Sequence, residues 1–388
     1  MVTTTWRRAG PVLALAALLA AACGGPADSA GHARPAGLLT GGPARTAKAP
    51  PGFQPAPASF QPAAASFLSA RTGFVLGGVG CRIQRACTAR LVATADGGAR
   101  WHFVTAPAVR FYNDAGTSRG QASRVSSVMF ASRRDGWLYG PGLWSTRDGG
   151  ARWHRISLGG GIEAMAASAG TVYAVVSPRG GGREELYASP AGQDGWARAG
   201  PMTARNAVLA VSGRAAWFGT STHLWATADG AAWYRYSFRC PGASYYGLSG
   251  IAAASRSRVV FLCTGNGAAG SLSKEVLTSS DGGRSVRLAG HAPLGGGTDG
   301  IAVPPHHARV ITLAAVSGAN FLDRSADGGK TWTEVTYPLH GYWSSLSCVS
   351  RTVGWIVAGQ PGLGSGNQLW RTSDAGRSWH PASFRAAS

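Results

Sequence analysis

Short apolar runs separated by polar turns fill most of the chain, and this pattern predicts strands. Runs such as LVAT, LWST, LWAT and QLWRT each end at a turn rich in Asp and Gly, and a Trp follows most of these turns. Short apolar or alternating runs bounded by turn residues are typical of β-strands. No segment after the N-terminal region shows sustained apolar periodicity of 3.6 residues. We therefore expect an all-β protein with almost no helix.

The Asp-Gly turn recurs along the chain at a nearly regular spacing. Six copies begin at Thr94 (TADGGARW), Thr146 (TRDGGARW), Thr227 (TADGAAW), Ser279 (SSDGGRSV), Ser325 (SADGGKTW) and Thr372 (TSDAGRSW). A seventh copy, SPAGQDGW from Ser189, has lost the acid at the corresponding position. The mean spacing is about 46 residues, which favours propeller blades over other repeat folds.

A second repeat lies upstream of each Asp-Gly turn. Its clearest copies are SARTGFVLGG from Ser69, SRRDGWLYG from Ser132, SGRAAWFGT from Ser212 and SRTVGWIVAG from Ser350. Looser copies occupy 168–176, 255–263 and 306–315. Each copy is a polar turn followed by an apolar run, which indicates an inner pair of strands. Each unit thus supplies four antiparallel strands, and seven units predict a seven-bladed β-propeller over residues 63–388.

The first repeat resembles the Asp-box, or BNR repeat, of sialidases, sortilin-type receptors and the photosystem II assembly-factor family of propellers. The resemblance implies a structural role for six aspartates: Asp96, Asp148, Asp229, Asp281, Asp327 and Asp374. A short Asp side chain can accept hydrogen bonds from the backbone of its own turn. We expect the following Trp to fill the space between neighbouring blades.

The N-terminus is predicted to be an export signal. Arg7 and Arg8 precede an apolar stretch, 12–22, that is too short to span a bilayer. The stretch ends LAAAC, which resembles a bacterial lipoprotein signal with Cys23 as the lipidated residue, although Leu19 lies four rather than three positions before the Cys. Ala20–Ala22 also fit an ordinary cleavage site. We expect an extracytoplasmic protein anchored to the cell membrane by lipid; plain secretion is the alternative.

Residues 24–62 are rich in Pro, Ala and Gly and predict a disordered tether. Within this region, residues 53–60 offer an optional latch strand for the last blade. Beyond Cys23 the chain has five cysteines. Cys81 and Cys87 flank a short polar loop and are predicted to form a disulfide, and Cys240 and Cys263 are a second candidate pair. Cys348 is expected to be a buried small hydrophobic residue. We predict no metal site and no cofactor.

The chain is strongly basic, with 37 Lys and Arg against 17 Asp and Glu and a net charge of +20. Such a surface can attract an acidic protein, an acidic glycan or another anionic envelope polymer. The excess of Arg over Lys, with abundant Ala and Gly, is also typical of a GC-rich coding sequence. We do not expect nucleic acid as the partner of an exported protein.

In propellers of this kind ligands bind on the face opposite the Asp-boxes. That face is expected to contain the segments 79–90, 105–124, 177–184, 237–248, 264–274, 289–299, 336–345 and 359–367. The predicted partner-contact residues are Arg110, Tyr112, Asp114, Arg119, Arg183, Tyr245, Tyr246, His340, Tyr342 and Trp343. Trp343 stands out because it is the one Trp of the repeat region without a place in either repeat. It is expected either to contact a partner or to pack beneath the loop.

Two functions are consistent with the sequence. The resemblance to sialidases implies an Arg triad, a Tyr–Glu nucleophile pair and an Asp acid/base, but the F/Y-R-I-P motif of the first triad Arg is absent. No pair of carboxylates can be assigned to acid–base roles, and we predict no catalytic residues. The order of the two repeats is most similar to that of the photosystem II assembly-factor class, which presents one face to a protein partner. We therefore favour a monomeric, non-catalytic binding protein; a sialidase-type glycoside hydrolase is the alternative.

Overall fold

The computed structural model describes residues 56–81, 87–111, 124–203, 206–220, 222–241, 247–268, 270–317, 319–335, 342–359 and 367–384. Across these residues there is no helix, and 28 strands form seven sheets of four strands each. Within every sheet the strands follow chain order, and each neighbouring pair is antiparallel. The predicted seven blades of four antiparallel strands are confirmed.

The first three blades take up 60–203. Blade 1 contains β1 (Phe60–Phe67), β2 (Gly73–Val79), β3 (Arg90–Thr94) and β4 (His102–Val104). Blade 2 contains β5 (Ser127–Phe130), β6 (Gly136–Tyr139), β7 (Leu143–Thr146) and β8 (His154–Ile156). Blade 3 contains β9 (Gly160–Ser168), β10 (Thr171–Pro178), β11 (Glu184–Pro190) and β12 (Ala197–Thr203).

The remaining four blades take up 208–381. Blade 4 contains β13 (Val208–Ser212), β14 (Ala215–Gly219), β15 (His223–Thr227) and β16 (Tyr234–Ser237). Blade 5 contains β17 (Gly247–Ala253), β18 (Val259–Ala268), β19 (Ser271–Ser279) and β20 (Arg287–Ala292). Blade 6 contains β21 (Gly297–Ala302), β22 (Ile311–Ser317), β23 (Ala319–Ser325) and β24 (Thr333–Glu334). Blade 7 contains β25 (Tyr342–Cys348), β26 (Gly354–Gly359), β27 (Gln368–Thr372) and β28 (His380–Pro381).

The first strand of each blade is the innermost, and these seven strands contact one another in sequence until β25 meets β1. The ring therefore closes between blade 7 and blade 1. All four strands of blade 7 come from the C-terminal part of the chain, so the optional latch strand is not needed for closure. Side chains hold this seam instead: Ser344 donates to the Ala63 carbonyl (2.9 Å), Ser345 accepts from the Ala65 N–H (3.0 Å), and the Asn367 amide donates to the Pro62 carbonyl (3.0 Å).

Blade 1 begins before the predicted start of the propeller at residue 63. β1 starts at Phe60, and Ala56 is buried with its N–H bonded to the Trp101 carbonyl (3.1 Å). Phe60 packs against Phe384 at a ring separation of 4.9 Å, so the last described segment of the chain covers the first strand. The rest of the proposed tether, the export signal and Cys23 lie outside the described residues.

The two repeats lie together on one face of the ring. The turn between the first and second strands carries the second repeat, and the turn between the third and fourth strands carries the Asp-Gly repeat. A backbone hydrogen bond joins them in blade 1, from Gly97 N–H to the Arg71 carbonyl (2.8 Å), and blades 2, 5, 6 and 7 have the same bond. We call this side the turn face. The opposite side, the loop face, carries the loops between second and third strands and the connections between blades.

Each Asp-Gly turn is organised by a buried hydroxyl and a carboxylate. In blade 1 the Thr94 hydroxyl donates to Asp96 (2.9 Å) and accepts from the Gly98 N–H (3.0 Å), and Asp96 accepts from the Arg100 N–H (2.9 Å). The same hydroxyl-to-carboxylate bond occurs at Asp148, Asp229, Asp281, Asp327 and Asp374. All six predicted aspartates therefore stabilise turns, and all lie on the turn face.

These hydrogen bonds lower the pKa values of the six carboxyls. The pKa of Asp281 falls from 3.8 to about 2 because the Ser285 hydroxyl, and then the Ser285 N–H, donate to it. Burial alone would raise the pKa of Asp374, but two bonds from Ser378 outweigh it and bring the value to about 2. A carboxyl whose pKa is lower in the folded than in the unfolded state stabilises the fold at every pH above its unfolded-state pKa. This contribution is lost as the pH falls through the folded-state pKa.

Aromatic side chains fill the seams between blades. The Trp217 indole N–H (β14) donates to the Gly282 carbonyl in the turn of blade 5 (2.8 Å). In blade 7, Trp355 lies so close to Gly98 in the turn of blade 1 that a Cβ on Gly98 would be 3.0 Å from its ring. Four further contacts join neighbouring blades: Phe74 with Phe130, Trp137 with Trp196, Tyr173 with Trp233, and Trp101 with Phe384. The aromatic residues of both repeats thus pack between blades.

The eroded repeat of blade 3 keeps an acid at a different position. Asp194 accepts a hydrogen bond from the Ser145 hydroxyl of blade 2 (2.9 Å) and forms an ion pair with Arg147. The Arg147 guanidinium also lies over the Trp137 ring, 4.7 Å from its centre. Asp194 therefore ties blade 3 to blade 2, whereas the other acids act within their own turns.

The predicted disulfides are both present. Cys81 bonds to Cys87 and Cys240 bonds to Cys263, each pair with Cα atoms 5.6 Å apart. Cys348 is 5% exposed and packs in the core of blades 6 and 7, as expected for a small hydrophobic residue. Cys81–Cys87 joins the end of β2 to the chain just before β3, and Cys240–Cys263 joins the chain after β16 to β18 of blade 5.

Candidate loop-face binding site

Six arginines form a basic sector on the loop face of blades 1 to 3. They are Arg90, Arg110, Arg124, Arg155, Arg179 and Arg183; Arg124 is half-buried and the others are exposed. We call this set the arginine sector. Two of its members, Arg110 and Arg183, were among the predicted contact residues.

Backbone contacts connect the segments that carry these arginines. Arg110 pairs with Thr88 in an isolated β-bridge, and its carbonyl accepts the Val125 N–H (3.2 Å). The Arg124 carbonyl accepts the Gly142 N–H (2.8 Å), which joins the connection from blade 1 to a turn of blade 2. The Arg179 N–H is bonded to the Gly159 carbonyl (3.4 Å) and so joins blade 3 to the connection from blade 2. The arginines therefore lie along a continuous surface.

The carboxylates of this region are engaged in structural contacts. Glu184 is 4% exposed and accepts the N–H groups of Asn206 (3.1 Å) and Ala207 (2.8 Å), which fixes the connection between blades 3 and 4. Glu185 forms an ion pair with Arg198 (3.1 Å). Glu163, on β9, is half-buried and also has a partner. These three glutamates therefore neutralise at most part of the positive charge of the six arginines in the arginine sector.

Exposed apolar side chains accompany the charge. Six large apolar or Tyr residues of the described chain are exposed, and four of them lie at the loop-face ends of their strands or connections: Val79, Met202, Leu294 and Tyr342. Leu294 is 61% exposed, in the connection from blade 5 to blade 6. Large apolar side chains on a surface are typical contact residues of protein interfaces.

Tyr342 and Trp343 differ although they are adjacent. Tyr342 starts β25 and is 42% exposed at the loop face. Trp343 is 5% exposed, packs in the core of blades 6 and 7, and donates its indole N–H to the Ala315 carbonyl (3.2 Å). Successive side chains of a strand point to opposite faces, so one of the two turns inward. The assignment of Trp343 to the contact surface is corrected: of its two expected positions, it occupies the buried one.

Tyr112, Asp114, Arg119, Tyr245, Tyr246 and His340 lie outside the described residues. The Cys240–Cys263 disulfide fixes the chain just before the segment that contains Tyr245 and Tyr246.

Sequence reasoning missed a buried lysine beneath the loop face. Lys274 on β19 has no exposed surface, and its ammonium donates to the carbonyls of Gly295 (2.7 Å), Pro293 (2.8 Å) and Leu272 (3.3 Å). It therefore holds the connection that presents Leu294. Burial lowers the pKa of Lys274 to about 8, while nearby Asp323 acts in the opposite direction. Its position on a strand with mixed polarity gave no signal of this role.

The described residues contain no cluster of three or more His, Cys, Asp or Glu side chains suited to a metal ion. Within the same ranges, no helix has the length and hydropathy needed to cross a membrane.

The ring of seven four-stranded blades places the chain in the class of seven-bladed β-propellers. No protein-family model and no curated protein sequence matches it. The solved structures that share the fold include the following three. YCF48 bound to D1 peptide has a TM-score of 0.54 at 20% identity, covering 82% of this chain and 95% of the other. YCF48 from Cyanidioschyzon merolae has a TM-score of 0.54 at 16% identity, covering 83% and 98%. The β-propeller domain of the Trilobed protease from Pyrococcus furiosus, described as having an open velcro topology, has a TM-score of 0.52 at 8% identity, covering 84% and 98%.

Proposed function

We propose that this propeller is an exported, lipid-anchored binding protein whose loop face captures an acidic protein of the cell envelope. The arginine sector is the observation that carries the proposal. It gathers six arginines on one side of the ring, whereas the six structural aspartates lie on the other. A surface on which arginines outnumber carboxylates attracts an acidic partner.

The exposed apolar residues favour a protein over a purely anionic polymer. Apolar area is exposed at the loop face by Leu294, Tyr342, Met202 and Val79. A protein partner can bury this area against its own apolar side chains, which a glycan or polyphosphate chain lacks. A propeller of the same fold, YCF48, has been solved with a bound D1 peptide. Such a ring can therefore serve as a peptide-binding scaffold.

A binding role also agrees with the structural use of several described acids. Apart from the six turn aspartates, Asp135 accepts from the Ser132 hydroxyl (2.6 Å), Asp194 pairs with Arg147, and Glu184 binds backbone N–H groups. General acid–base catalysis of glycoside cleavage requires two carboxylates placed around one bond. These acids hold the ring together instead.

Removing charge and apolar area from the loop face should abolish capture. In the variant Arg110→Gln/Arg183→Gln/Tyr342→Ser, all three changed side chains are exposed, so folding should be unaffected. We expect recovery of the partner from envelope extract to fall by about tenfold or more, since each lost charged contact costs on the order of 1–3 kcal/mol. Pull-down with quantitative mass spectrometry measures this loss.

A matched control carries the same change in charge on the turn face. Arg214→Gln/Arg256→Gln/Leu288→Ser alters two exposed turn arginines and an exposed Leu of β20. It should capture the same partner as the parent. Equal losses in both variants, or none in either, would refute the loop-face assignment. Hydrolysis of a fluorogenic sialoside above a blank would favour the glycosidase alternative, and recovery of an acidic glycan alone would replace the protein partner.

Lipid anchoring has its own test. The variant Cys23→Ala should lose a metabolically incorporated acyl label and move from the membrane fraction to the soluble exported fraction. The reason is that each buried methylene of an acyl chain contributes about 0.8 kcal/mol to membrane binding. Ser29→Ala, in the proposed tether, is the control and should remain membrane-bound. Quantitative membrane retention of Cys23→Ala would show that the anchor lies elsewhere.

A further inference from the structure

Two exposed side chains lie at the turn-face end of blades 4 and 5, away from the loop face. Tyr234 is 58% exposed and starts β16 directly after the Asp-Gly turn of blade 4. Leu288 is 47% exposed and is the second residue of β20, after the Asp-Gly turn of blade 5. Both therefore lie where the outermost strand of a blade leaves the turn face.

These two side chains border the seam between blades 4 and 5. Tyr234 pairs with Ala226, and Leu288 pairs with Leu277. Both partners belong to the core shared by the two blades, and paired residues of neighbouring strands point to the same side of a sheet. The repeat of blade 5 is also the one Asp-Gly repeat that ends in Val rather than Trp, at Val286. A smaller, partly buried side chain therefore stands in this seam where the other repeats place an indole.

Exposed arginines accompany this apolar pair. Those in the turns of blades 4 and 5 are Arg214, between β13 and β14, Arg256 and Arg258, between β17 and β18, and Arg284, in the Asp-Gly turn of blade 5. No ion pair engages them within the described part of the chain. The carboxylates of the two Asp-Gly turns, Asp229 and Asp281, accept hydrogen bonds from their own turns. We call the four arginines, Tyr234 and Leu288 the turn-face patch.

Hydrogen bonds join the segments that carry the turn-face patch. The Trp217 indole of blade 4 donates to the Gly282 carbonyl of blade 5 (2.8 Å). The Gly282 N–H in turn donates to the Ser257 carbonyl (2.9 Å), in the turn that carries two of the arginines. The Arg284 guanidinium donates to the Tyr236 hydroxyl on β16 (3.4 Å). The patch is therefore one surface that crosses from blade 4 to blade 5.

We propose that the turn-face patch docks on an anionic lipid bilayer and so directs the loop face away from the membrane. Each basic side chain near such a bilayer is attracted to its negative surface potential, and arginines spread over several turns need no matched arrangement of acids in the partner. Tyr is enriched at the level of the lipid headgroups, and an apolar side chain such as Leu288 can enter the boundary of the acyl chains.

The inference concerns a different surface from the one proposed to capture a protein. It rests on the proposed function only in placing the protein at a membrane. A ring held with its turn face on the bilayer would present the arginine sector to partners in the envelope.

Vesicle flotation tests the turn-face patch. The parent is the chain 24–388, which keeps the tether and the whole propeller but lacks the export signal and Cys23. We expect it to float at low salt with vesicles of equal parts phosphatidylglycerol and phosphatidylcholine, and not with vesicles of phosphatidylcholine alone. Arg214→Gln/Arg256→Gln/Leu288→Ser should weaken this binding about tenfold or more, because the contributions of basic residues near an anionic surface add.

Two control variants separate the patch from general charge and from misfolding. Arg110→Gln/Arg183→Gln/Tyr342→Ser makes the same kinds of change on the loop face and should bind vesicles as the parent does. Arg214→Lys/Arg256→Lys keeps the positive charge of the patch and should also retain binding. No flotation of the parent with anionic vesicles, or equal weakening by the turn-face and loop-face variants, would overturn the proposal.

The same two triple variants distinguish this proposal from the proposed function. Vesicle binding that depends on the turn-face patch, with capture of the protein partner lost only in the loop-face variant, supports both. If the turn-face variant binds vesicles normally but loses a second protein from the envelope pull-down, the patch serves a protein partner and not the bilayer.

Discussion

Replacing Trp355 with Ala is expected to open the ring between its last and first blades. Trp355 has no exposed surface, stacks on Phe67 of blade 1 at a ring separation of 3.9 Å, and contacts Gly98 in the blade 1 turn. Loss of a buried Trp leaves a large cavity and costs about 3–5 kcal/mol. The free energy of unfolding, measured in urea, should fall by this amount.

Trp217→Ala is the matched control because Trp217 occupies the equivalent seam between blades 4 and 5. Both variants should lose similar stability, but a single stretch of chain links blades 4 and 5, whereas no connection between described strands crosses the seam between blades 7 and 1. Limited proteolysis should therefore release residues near 56–60 and 380–384 in Trp355→Ala only. If both variants are cleaved there to the same extent, closure does not depend on this contact.

The second large effect is expected from Lys274→Met. The change leaves the carbonyls of Pro293 and Gly295 without their donor and leaves Asp323, 2% exposed, without its nearby cation. Leaving a buried carboxylate without a nearby positive charge, together with buried carbonyls that lose their donor, costs about 3–5 kcal/mol. Thermal or urea unfolding at pH 8 measures the loss. Lys330→Met, an exposed turn lysine, is the control and should stay within about 0.5 kcal/mol of the parent.

The pH dependence of this loss has a definite sign. Burial raises the pKa of Asp323 to about 6; Lys274 lowers it and Glu334 raises it. Without Lys274 the Asp323 pKa rises further, and below it the carboxyl is neutral and cheap to bury. The destabilisation of Lys274→Met should therefore be smaller at pH 5 than at pH 8. Lys274→Met/Asp323→Leu, which removes both charges, should recover part of the stability at pH 8. A loss that is equal at both pH values and persists in the double variant would show that the lost carbonyl contacts dominate.

The repeats allowed the fold to be predicted from the sequence. A turn that needs a small hydroxyl, an acid and Gly in fixed order repeats the same residue types in six of the seven blades, so the blade number and the positions of Asp96 and Asp374 could be predicted directly. The pairing of Cys81 with Cys87 could be predicted equally well, since a separation of six residues lets a short loop bring the two thiols together. These are local properties, set by a few consecutive residues.

The candidate sites depended on contacts between distant residues. Trp343 was singled out because neither repeat explained it, yet strand alternation and the Ala315 carbonyl turn it into the core. Arg284 and Tyr236 belong to different blades, and no pattern in either segment shows that they are hydrogen-bonded. Lys274 gave no signal because two of its three acceptors, Pro293 and Gly295, lie in a connection about twenty residues away.

The sequence by itself determined the class of fold, the number of blades and the structural role of the turn aspartates, because these follow from short-range hydrogen bonding repeated along the chain. The tertiary structure alone decided which polar residues are buried to hold the connections, which arginines converge, and how the ring closes without a latch. Those outcomes arise where separate blades meet, and the energy of such a contact depends on both surfaces at once.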